Sequence, residues 1–452
     1  MLVAGCDWSD RWLDFAVLDR SGNVLGETRI VYAGSPDPVA RYREFLAPLG
    51  RRWRATVTGI EDVNILFARA LAASGMEVVH VDPTRAARHR VARGMSKTDR
   101  ADARLIASMT LEGEYRPLVA SSPEAQALRV VAHAHRTAVT TRAEALHRLR
   151  AALMRIWPSA VSAWPANVGG LRSPQARAVL AAAPSPRAAA RLDRTSLAAL
   201  LAAAGRKRTV QDQAERLRMI FDRHVEEAEA LRIGRILAVF DQAVRRADDL
   251  QRDLEQHYTA HPFHPLVNAV PGVGAVLGAY LLAEIGDRPL QRFGSECSLA
   301  AYAGVAPVTW ASGQTERAAF RRASSACLRS TLHTVAFSMV SHSPGAQAYY
   351  STRRSAGDAH TTALRKLARK IVPCLYHCMV SHRPYEDAIA FGYDPAAGDA
   401  PSLPPAPPSP LWRGLSESAR RRSTGTSSAA PEPDDIAGIS HCPGAEAFTV
   451  LR

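Results

Sequence analysis

The sequence predicts an α/β sheet domain, then a long helical segment, a mostly helical third region and a disordered tail. Three observations indicate this order: short alternating apolar runs near the start, apolar residues at helical spacing in the middle, and a Pro-, Ser- and Gly-rich stretch at the end. At roughly 150 residues per domain, 452 residues suffice for about three domains. The predicted boundaries are 1–121, 122–260, 261–395 and 396–452.

The first domain opens with three short strands and continues with alternating strands and helices. The three strands of a predicted antiparallel meander cover 2–7, 13–18 and 24–32, separated by polar turns. The chain then predicts a strand over 55–60, a helix over 64–73, a strand over 78–81 and helical sequence up to Met109. Three strands followed by this alternation are typical of an α/β sheet of the ribonuclease H kind.

Two long amphipathic helices are predicted in the second domain. Apolar residues recur at helical spacing over 123–157 and over 210–256, on either side of an Ala- and Pro-rich segment at 158–205. Two such arms indicate an antiparallel coiled coil, or one that joins two copies of the chain. The first arm carries six Arg and two Glu, and this charge fits either a solvated helix face or contact with a nucleic-acid backbone.

The charge of the chain predicts a polyanionic partner. Lys and Arg number 57 against 43 Asp and Glu, so the formal net charge is +14. The six cysteines form neither a disulfide framework nor a zinc-knuckle spacing, and no stretch reaches the roughly 18 uncharged apolar residues of a membrane span. We therefore expect a cytoplasmic, nucleoid-associated protein with no membrane partner. The composition of 396–452 buries too little apolar surface to fold alone.

Four acidic residues from distant segments form the candidate catalytic and metal-binding set. Asp7 closes the first predicted strand and Glu61 closes the fourth, so both side chains are expected at one edge of the sheet. Asp99 and Asp102 lie one helical turn apart, in line with apolar residues of the same helix. This alignment predicts that both aspartates face the core.

Buried carboxylates need cations or protons to be tolerated. Four that converge can hold one or two Mg²⁺ ions, which clamp the attacking and leaving oxygens of a phosphodiester, as in nucleases. Taken singly, each acid also fits a structural role, such as a turn residue or a charge at a helix start. Asp10, Asp14 and Asp62 compete for the ligand roles.

The acids lie in motifs that resemble a known family. Cys6-Asp7-Trp8, Gly59-Ile60-Glu61, Val81-Asp82-Pro83 and the segment 96–103 look like the DEDD domain of IS110-type insertion-sequence transposases, whose relatives include the Piv-type DNA invertases. A second block resembles the C-terminal domain of the same family. It comprises Val270-Pro271-Gly272-Val273-Gly274, 281–287, Phe293, 299–307, Ser312-Gly313 and Leu328-Arg329. The resemblance covers most of 1–395.

The resemblance implies a prokaryotic DNA transposase with a RuvC-like first domain. Its Mg²⁺-binding tetrad would be Asp7, Glu61, Asp99 and Asp102. In the C-terminal transposase domain, the resemblance implies that Ser312 is the nucleophile that becomes covalently joined to DNA. It further implies that the two domains form a composite site, that the protein is a homo-oligomer (a dimer or tetramer), and that an element-encoded bridge RNA serves as a guide.

Candidate nucleic-acid contacts lie beside these motifs. From the residues alone, Ser312-Gly313 indicates a loop near basic side chains. The segment 271–274 resembles a helix-hairpin-helix turn that binds phosphate, although a plain interhelical turn also explains its glycines. The predicted nucleic-acid-binding residues are Lys97, Gly272, Gly274, Arg317, Arg321, Arg322 and Arg329.

These observations favour a mobile-element recombinase that forms a covalent phosphoserine intermediate with DNA. Two alternatives stay open. In a RuvC-like structure-selective nuclease, water would attack in place of Ser312, and DNA ends would be left free. In a catalytically inert nucleic-acid-binding remnant, the scaffold would persist without the chemistry, and the departure from the family pattern around Ser324 favours this alternative.

Overall fold

A computed structural model describes residues 2–34, 37–49, 55–63, 65–119, 121–165, 169–221, 230–312, 315–319 and 321–393. The chain divides into two compact units. The first unit comprises Met1–Ala120 and Arg288–Gly294, and the second comprises Ser121–Asp287 and Ser295–Arg452. The predicted tail at 396–452 lies outside the described residues. No helix in the described ranges is both long enough and apolar enough to span a bilayer.

A mixed sheet of six strands forms the centre of the first unit. The strands are β1 (Val3–Trp8), β2 (Trp12–Leu18), β3 (Val24–Val31), β4 (Val57–Ile60), β5 (Glu77–His80) and β6 (Arg116–Pro117). Their order is β3-β2-β1-β4-β5-β6, with β4 parallel to both β1 and β5 and the other neighbours antiparallel. The predicted meander is confirmed, and the strands predicted over 55–60 and 78–81 correspond to β4 and β5.

Helices cover both faces of this sheet. They are α1 (Pro38–Leu46), α2 (Leu66–Ala73), α3 (Pro83–Ala92), α4 (Asp99–Leu111) and, from later in the chain, α14 (Pro289–Phe293). On one face, Phe15 of β2 packs against Tyr42 of α1 and Phe67 of α2, with ring centroids 4.3 and 5.6 Å away. On the other face, α4 packs across β1, β2 and β4. The sequence reading missed α1 and β6.

Two glycines bring α4 unusually close to the sheet. Gly5 of β1 and Gly59 of β4 are register partners, so they lie side by side. A Cβ atom on Gly5 would lie 2.1 Å from the backbone oxygen of Ala103, and one on Gly59 would lie 2.0 Å from Oγ1 of Thr110. Because no real side chain fits at these distances, α4 is seated directly on the backbone of the two central strands.

We expect Gly5→Ala to lower the free energy of unfolding by about 3 kcal/mol, because the new methyl group must push the α4 backbone away. Gly26→Ala in β3 is the matched control, since its Cβ would meet side chains alone, the Phe45 ring at 3.3 Å and Leu49 at 3.6 Å. For the control we expect a change within about 1 kcal/mol. Urea unfolding measures both, and an equal loss in the two variants would contradict the close seating of α4.

The second unit is mostly helical. Its helices are α5 (Pro123–Ile156), α6 (Pro158–Ser162), α7 (Pro174–Ala182), α8 (Pro186–Ala190), α9 (Arg194–Ala203), α10 (Val210–Phe221), α11 (Ala230–Ala260), α12 (His264–Asn268), α13 (Ala275–Ile285), α15 (Glu296–Tyr302), α16 (Ala326–His342), α17 (Pro344–Ser355), α18 (His360–Ser381) and α19 (Asp387–Phe391). It also contains a hairpin of β7 (Val308–Ser312) and β8 (Thr315–Ala319). The sequence reading missed this hairpin in a region predicted to be mostly helical.

The two long helices of the second unit pack against each other in antiparallel directions. Arg142 of α5 lies 3.6 Å from Asp248 of α11, whereas Leu149, further along α5, shares a buried cluster with Leu237, which is earlier in α11. The long helix predicted over 123–157 is confirmed as α5. The stretch predicted over 210–256 corresponds to α10 and α11, and residues 222–229 between them lie outside the described residues. The coiled coil stays a prediction.

The Ala- and Pro-rich segment between the two arms is folded. It forms the short helices α6 to α9, and residues such as Trp164, Leu180 and Leu197 are buried in the same cluster as the adjoining parts of α5, α10 and α11. A serine or aspartate caps the start of each of the helices α7, α8 and α9. In each helix the side chain of this cap accepts a hydrogen bond from a backbone amide in the first turn. The arms therefore share a helical core at this end.

Candidate active site

The strand register brings two of the predicted acids to one edge of the sheet. Cys6 of β1 pairs with Ile60 of β4 in parallel, so Asp7 and Glu61 are the next residues of neighbouring strands. Side chains alternate along a strand, so Asp7 lies on the same face as Gly5, and Glu61 continues the alternation on the face of Gly59. That is the face on which α4 is seated.

Helix α4 begins beside these two acids. Thr98 caps its first turn by accepting a hydrogen bond from the backbone amide of Ala101, and the turn carries Asp99 and Asp102. Asp102 is 8% exposed. The Asp99 side chain is 55% exposed, so the prediction that both aspartates face the core is wrong for Asp99. The reason is its place as the first helical residue, at the open end of the apolar stripe.

The electrostatics of Asp7 reflect this gathering of acids. The pKa of Asp7 is raised from 3.8 to about 7, first by burial and then by the negative charges of Asp102, Glu61, Asp99 and Asp14, in that order. Burial is also the main cause that raises the pKa of Glu61, followed by the charge of Asp102. Asp7 therefore senses the charges of the other three predicted acids, and Glu61 senses that of Asp102.

Two arginines that the sequence reading missed pair with the acids. Nη1 of Arg90, on α3, donates to Oδ2 of Asp102 at 2.5 Å. Arg29, on β3, donates to Asp14 and to Asp99, each at 2.9 Å. Each arginine lies at least 12 residues from its acidic partners in the sequence, so only the packing of α3 and β3 reveals these pairs. Asp14, which was a competitor for a ligand role, is 3% exposed and paired with Arg29.

The acids offer the right chemistry for a divalent cation, although their side chains are not arranged as a closed set of ligands. Carboxylate oxygens are the hard ligands that Mg²⁺ prefers. Oδ1 of Asp102 is buried without a hydrogen-bond partner, which leaves one oxygen for a ligand. As the side chains stand, no three His, Cys, Asp or Glu residues in the described ranges form a group that could hold a metal ion. Two of the acids, Asp102 and Asp99, instead form ion pairs with Arg90 and Arg29.

The raised pKa of Asp7 predicts a pH-dependent cost in stability. The folded pKa lies above the unfolded one, so the folded protein holds its proton longer and loses stability as the pH rises from about 4 towards 7. We expect Asp7→Asn, measured by urea unfolding in EDTA at pH 8, to raise the free energy of unfolding by about 1 kcal/mol, because solvent screens part of the repulsion. The gain should shrink towards pH 4, and a gain that is independent of pH would contradict the raised pKa of Asp7.

The predicted nucleophile lies in the second unit. Ser312 is the last residue of β7 and pairs in register with Thr315 of β8. The prediction of a loop at Ser312 is therefore wrong, since its backbone belongs to a strand that ends at the hairpin turn. Residues 313–314, which follow β7 in the sequence, lie outside the described residues. Arg317 is on β8, opposite Trp310.

The other predicted nucleic-acid residues have differing surroundings. Lys97 is exposed one residue before the Thr98 cap, and its charge acts on Glu61. Arg322 is exposed, whereas Arg321 is half-buried with its Nε lacking a hydrogen-bond partner. Arg329 of α16 donates from Nη1 to Oγ of Ser324 at 2.7 Å.

The two glycines of the predicted helix-hairpin-helix turn have different roles. Gly272 has a φ of +74°, and its carbonyl accepts a hydrogen bond from Oγ of Ser338 on α16. A Cβ at Gly272 would lie 2.5 Å from that Oγ, so glycine is required by the packing. Gly274 is exposed at the cap of α13, with open space around its Cα. These contacts explain Gly272 without a ligand, while the contact with phosphate stays a prediction.

Two family models match the chain. Residues 4–158 match the model described as "Transposase", whose name gives the DEDD domain of IS110 elements, and residues 264–351 match the model described as "Transposase IS116/IS110/IS902 family". The first match contains all four acids of the candidate site, and the second contains Ser312. Both matches agree with the two blocks of motifs in the sequence.

Several curated proteins are similar to the chain. The "mini-circle putative transposase for IS117" of Streptomyces coelicolor is 35% identical over 405 residues, which cover 86% of this chain and 96% of that protein. The "insertion element IS900 uncharacterized 42 kDa protein" of Mycobacterium paratuberculosis is 26% identical over 358 residues, covering 74% of this chain and 85% of the relative. The "insertion element IS116 uncharacterized 44.8 kDa protein" of Streptomyces clavuligerus is 26% identical over 389 residues, 82% and 92% of the two chains. This chain belongs to the IS110 family of transposases.

Proposed function

We propose that this transposase exchanges DNA strands through a covalent phosphoserine intermediate. Ser312 is the proposed nucleophile, and Asp7, Glu61, Asp99 and Asp102 are the proposed Mg²⁺ ligands. The observation that carries the proposal is the convergence of acids from β1, the end of β4 and the first turn of α4, where burial and then the neighbouring negative charges raise the pKa of Asp7 to about 7. Such a gathering of like charges lowers stability, so it indicates a site that serves chemistry.

The first unit supplies the acidic part of this proposal. Asp102, buried with one unpartnered oxygen, and Asp7, beside it at the strand edge, would be the inner ligands, with Glu61 and Asp99 completing the set. Mg²⁺, when bound, supplies a Lewis acid that stabilises charge on phosphate oxygens. The strand order β3-β2-β1-β4-β5, with parallel β1, β4 and β5, supports the further proposal that this unit is a RuvC-like domain.

The second unit supplies the nucleophile and its basic neighbours. The hydroxyl of Ser312 would form an ester bond to phosphorus as the bond to one deoxyribose oxygen breaks, and that oxygen takes a proton as it leaves. A hydroxyl on the second DNA strand then attacks the same phosphorus and releases the serine, so the number of phosphodiester bonds is unchanged. The unpartnered Nε of half-buried Arg321 supports a phosphate contact, for which Arg317, Arg322, Arg329 and Lys97 are further candidates.

An element-encoded guide RNA and a homo-oligomer complete the proposal. The excess of positive charge supports binding to nucleic acid beyond the DNA at the site of chemistry. The paired helices α5 and α11 offer long surfaces for contact with a second copy of the chain, as in a coiled coil. Both features are consistent with the family to which the chain belongs.

The experiment that tests this function begins with the nucleic acid that co-purifies with the protein. We expect sequencing to recover one discrete, structured RNA from DNA flanking the gene. Adding that RNA, Mg²⁺ and DNA with the element ends to the protein should yield joined strands. Random RNA without joining would favour the inert remnant, and free cut ends without joining would favour the structure-selective nuclease.

A further inference from the structure

The strongest unassigned feature of the first unit is the pair between Arg90 and Asp102. Nη1 of Arg90 lies 2.5 Å from Oδ2 of Asp102, and only 19% and 12% of the two side chains are exposed. Arg90 comes from α3, and Asp102 from the first turn of α4. The other oxygen of Asp102 has no hydrogen-bond partner, and Arg90 forms an ion pair with this carboxylate.

A divalent ion and this guanidinium compete for the same carboxylate. Removing one partner of a buried ion pair leaves a costly isolated charge, so ionised Asp102 needs a cation nearby. A divalent ion on Asp102 would repel a guanidinium held 2.5 Å from the same group.

We propose that Arg90 is the built-in counter-ion of Asp102, which leaves the carboxylate when a divalent cation binds and then contacts a nucleic-acid phosphate. This inference rests on the proposed function of the acids. It makes Arg90 a positioning residue that lowers the affinity of the site for metal until DNA or RNA is present. Nucleic acid then offers the guanidinium a new partner, which it can bind through two parallel hydrogen bonds. Metal binding and nucleic-acid binding become coupled through one side chain.

Arg93 provides a matched control on the same segment. It lies just beyond α3, three residues from Arg90, and pairs with Glu112 and Ser108 instead of the candidate ligands. Replacing either arginine by glutamine removes one positive charge from the same part of the unit. Only Arg90→Gln removes the charge that contacts Asp102.

The test is calorimetric titration of the full chain with Mg²⁺ after treatment with EDTA, first without nucleic acid. We expect Arg90→Gln to bind Mg²⁺ at least about tenfold more tightly than the natural protein, and Arg93→Gln to bind it less than about twofold differently. Adding DNA with the element ends should tighten Mg²⁺ binding in the natural protein and by a clearly smaller factor in Arg90→Gln. Arg90→Lys keeps the positive charge but lacks the planar guanidinium. Its Mg²⁺ affinity should lie between those of the natural protein and Arg90→Gln, and it decides the test if Arg90→Gln does not fold.

The outcomes separate this inference from the proposed function. Equal Mg²⁺ affinity in the natural protein, Arg90→Gln and Arg90→Lys would overturn the inference and leave the metal site standing. An equal DNA effect in the natural protein and Arg90→Gln would likewise overturn the coupling. If none of the proteins bound Mg²⁺, with or without DNA, the proposed metal site itself would be wrong, and the inference with it.

Discussion

Ser312→Ala is expected to abolish covalent protein–DNA adducts, with at least about a 1000-fold loss of strand joining. The substitution removes only the hydroxyl group, and no other group at this position can form the ester to phosphorus. The backbone of Ser312 pairs with Thr315 at the end of β7, and alanine keeps that pairing. Folding and nucleic-acid binding should therefore change little. Denaturing gels of reactions with end-labelled DNA measure the adduct directly.

The matched control for this experiment is Ser341→Ala. Ser341 is an exposed serine on α16, outside the residues proposed to act on DNA. We expect it to form adducts at the natural rate. Adducts that persist in Ser312→Ala would remove Ser312 from its role, and free DNA ends in both the natural protein and the variant would identify water as the nucleophile.

Asp102→Asn is expected to lower strand joining by at least about 100-fold and to remove stabilisation of the protein by Mg²⁺. Asn has the same shape as Asp but lacks the charge of the most buried acid in the set. In the natural protein, Mg²⁺ should raise the melting temperature by offsetting repulsion around Asp7. In the variant, Mg²⁺ should leave it nearly unchanged. Scanning calorimetry with and without Mg²⁺ gives this second readout independently of activity.

Asp10→Asn serves as the control for Asp102→Asn. Asp10 is exposed in the turn between β1 and β2 and was a competitor for a ligand role in the sequence. We expect this variant to keep both strand joining and the Mg²⁺ response. A loss in Asp10→Asn equal to that in Asp102→Asn would show that the ligand set is assigned wrongly. Full activity in Asp102→Asn would favour a role for the acid in structure alone.

The parts of the fold that follow a simple period were predictable from the sequence. Alternating residues indicate β1, β2 and β3, and helical spacing indicates α5 within one residue of its observed end. The hairpin at Ser312 carried a usable signal in the sequence, because the five-residue runs 308–312 and 315–319 flank Gly313-Gln314. Gly5 and Gly59 also carried a usable sequence signal, since each stands two residues before a predicted acid.

The rest of the candidate site depends on contacts between distant segments. The spacing of Asp99 and Asp102 is correct for one helix face, but it does not show where α4 begins to be covered by the sheet. Asp99 is therefore exposed and Asp102 buried. Similarly, no local pattern distinguishes Arg90, which pairs with an acid 12 residues away, from Arg93, which pairs elsewhere. Such pairings require the packed structure.

The acids also explain why stability and function oppose each other in the first unit. The seating of α4 on Gly5 and Gly59 brings Asp102 close to Asp7, and burial together with this repulsion raises the pKa of Asp7. Arg90 and Arg29 offset part of it. Variants that neutralise Asp7 should stabilise the protein, while those that move α4 should destabilise it. The two effects have opposite signs although they concern one site.

The most direct measurement is peptide mass spectrometry of the adduct that forms between the natural protein and DNA with the element ends. After digestion by nuclease and protease, we expect a nucleotide on the peptide that contains Ser312, bound through the serine oxygen, in reactions with Mg²⁺ and none in EDTA. A nucleotide on a different residue, or cut DNA with no modified peptide, would contradict the phosphoserine route.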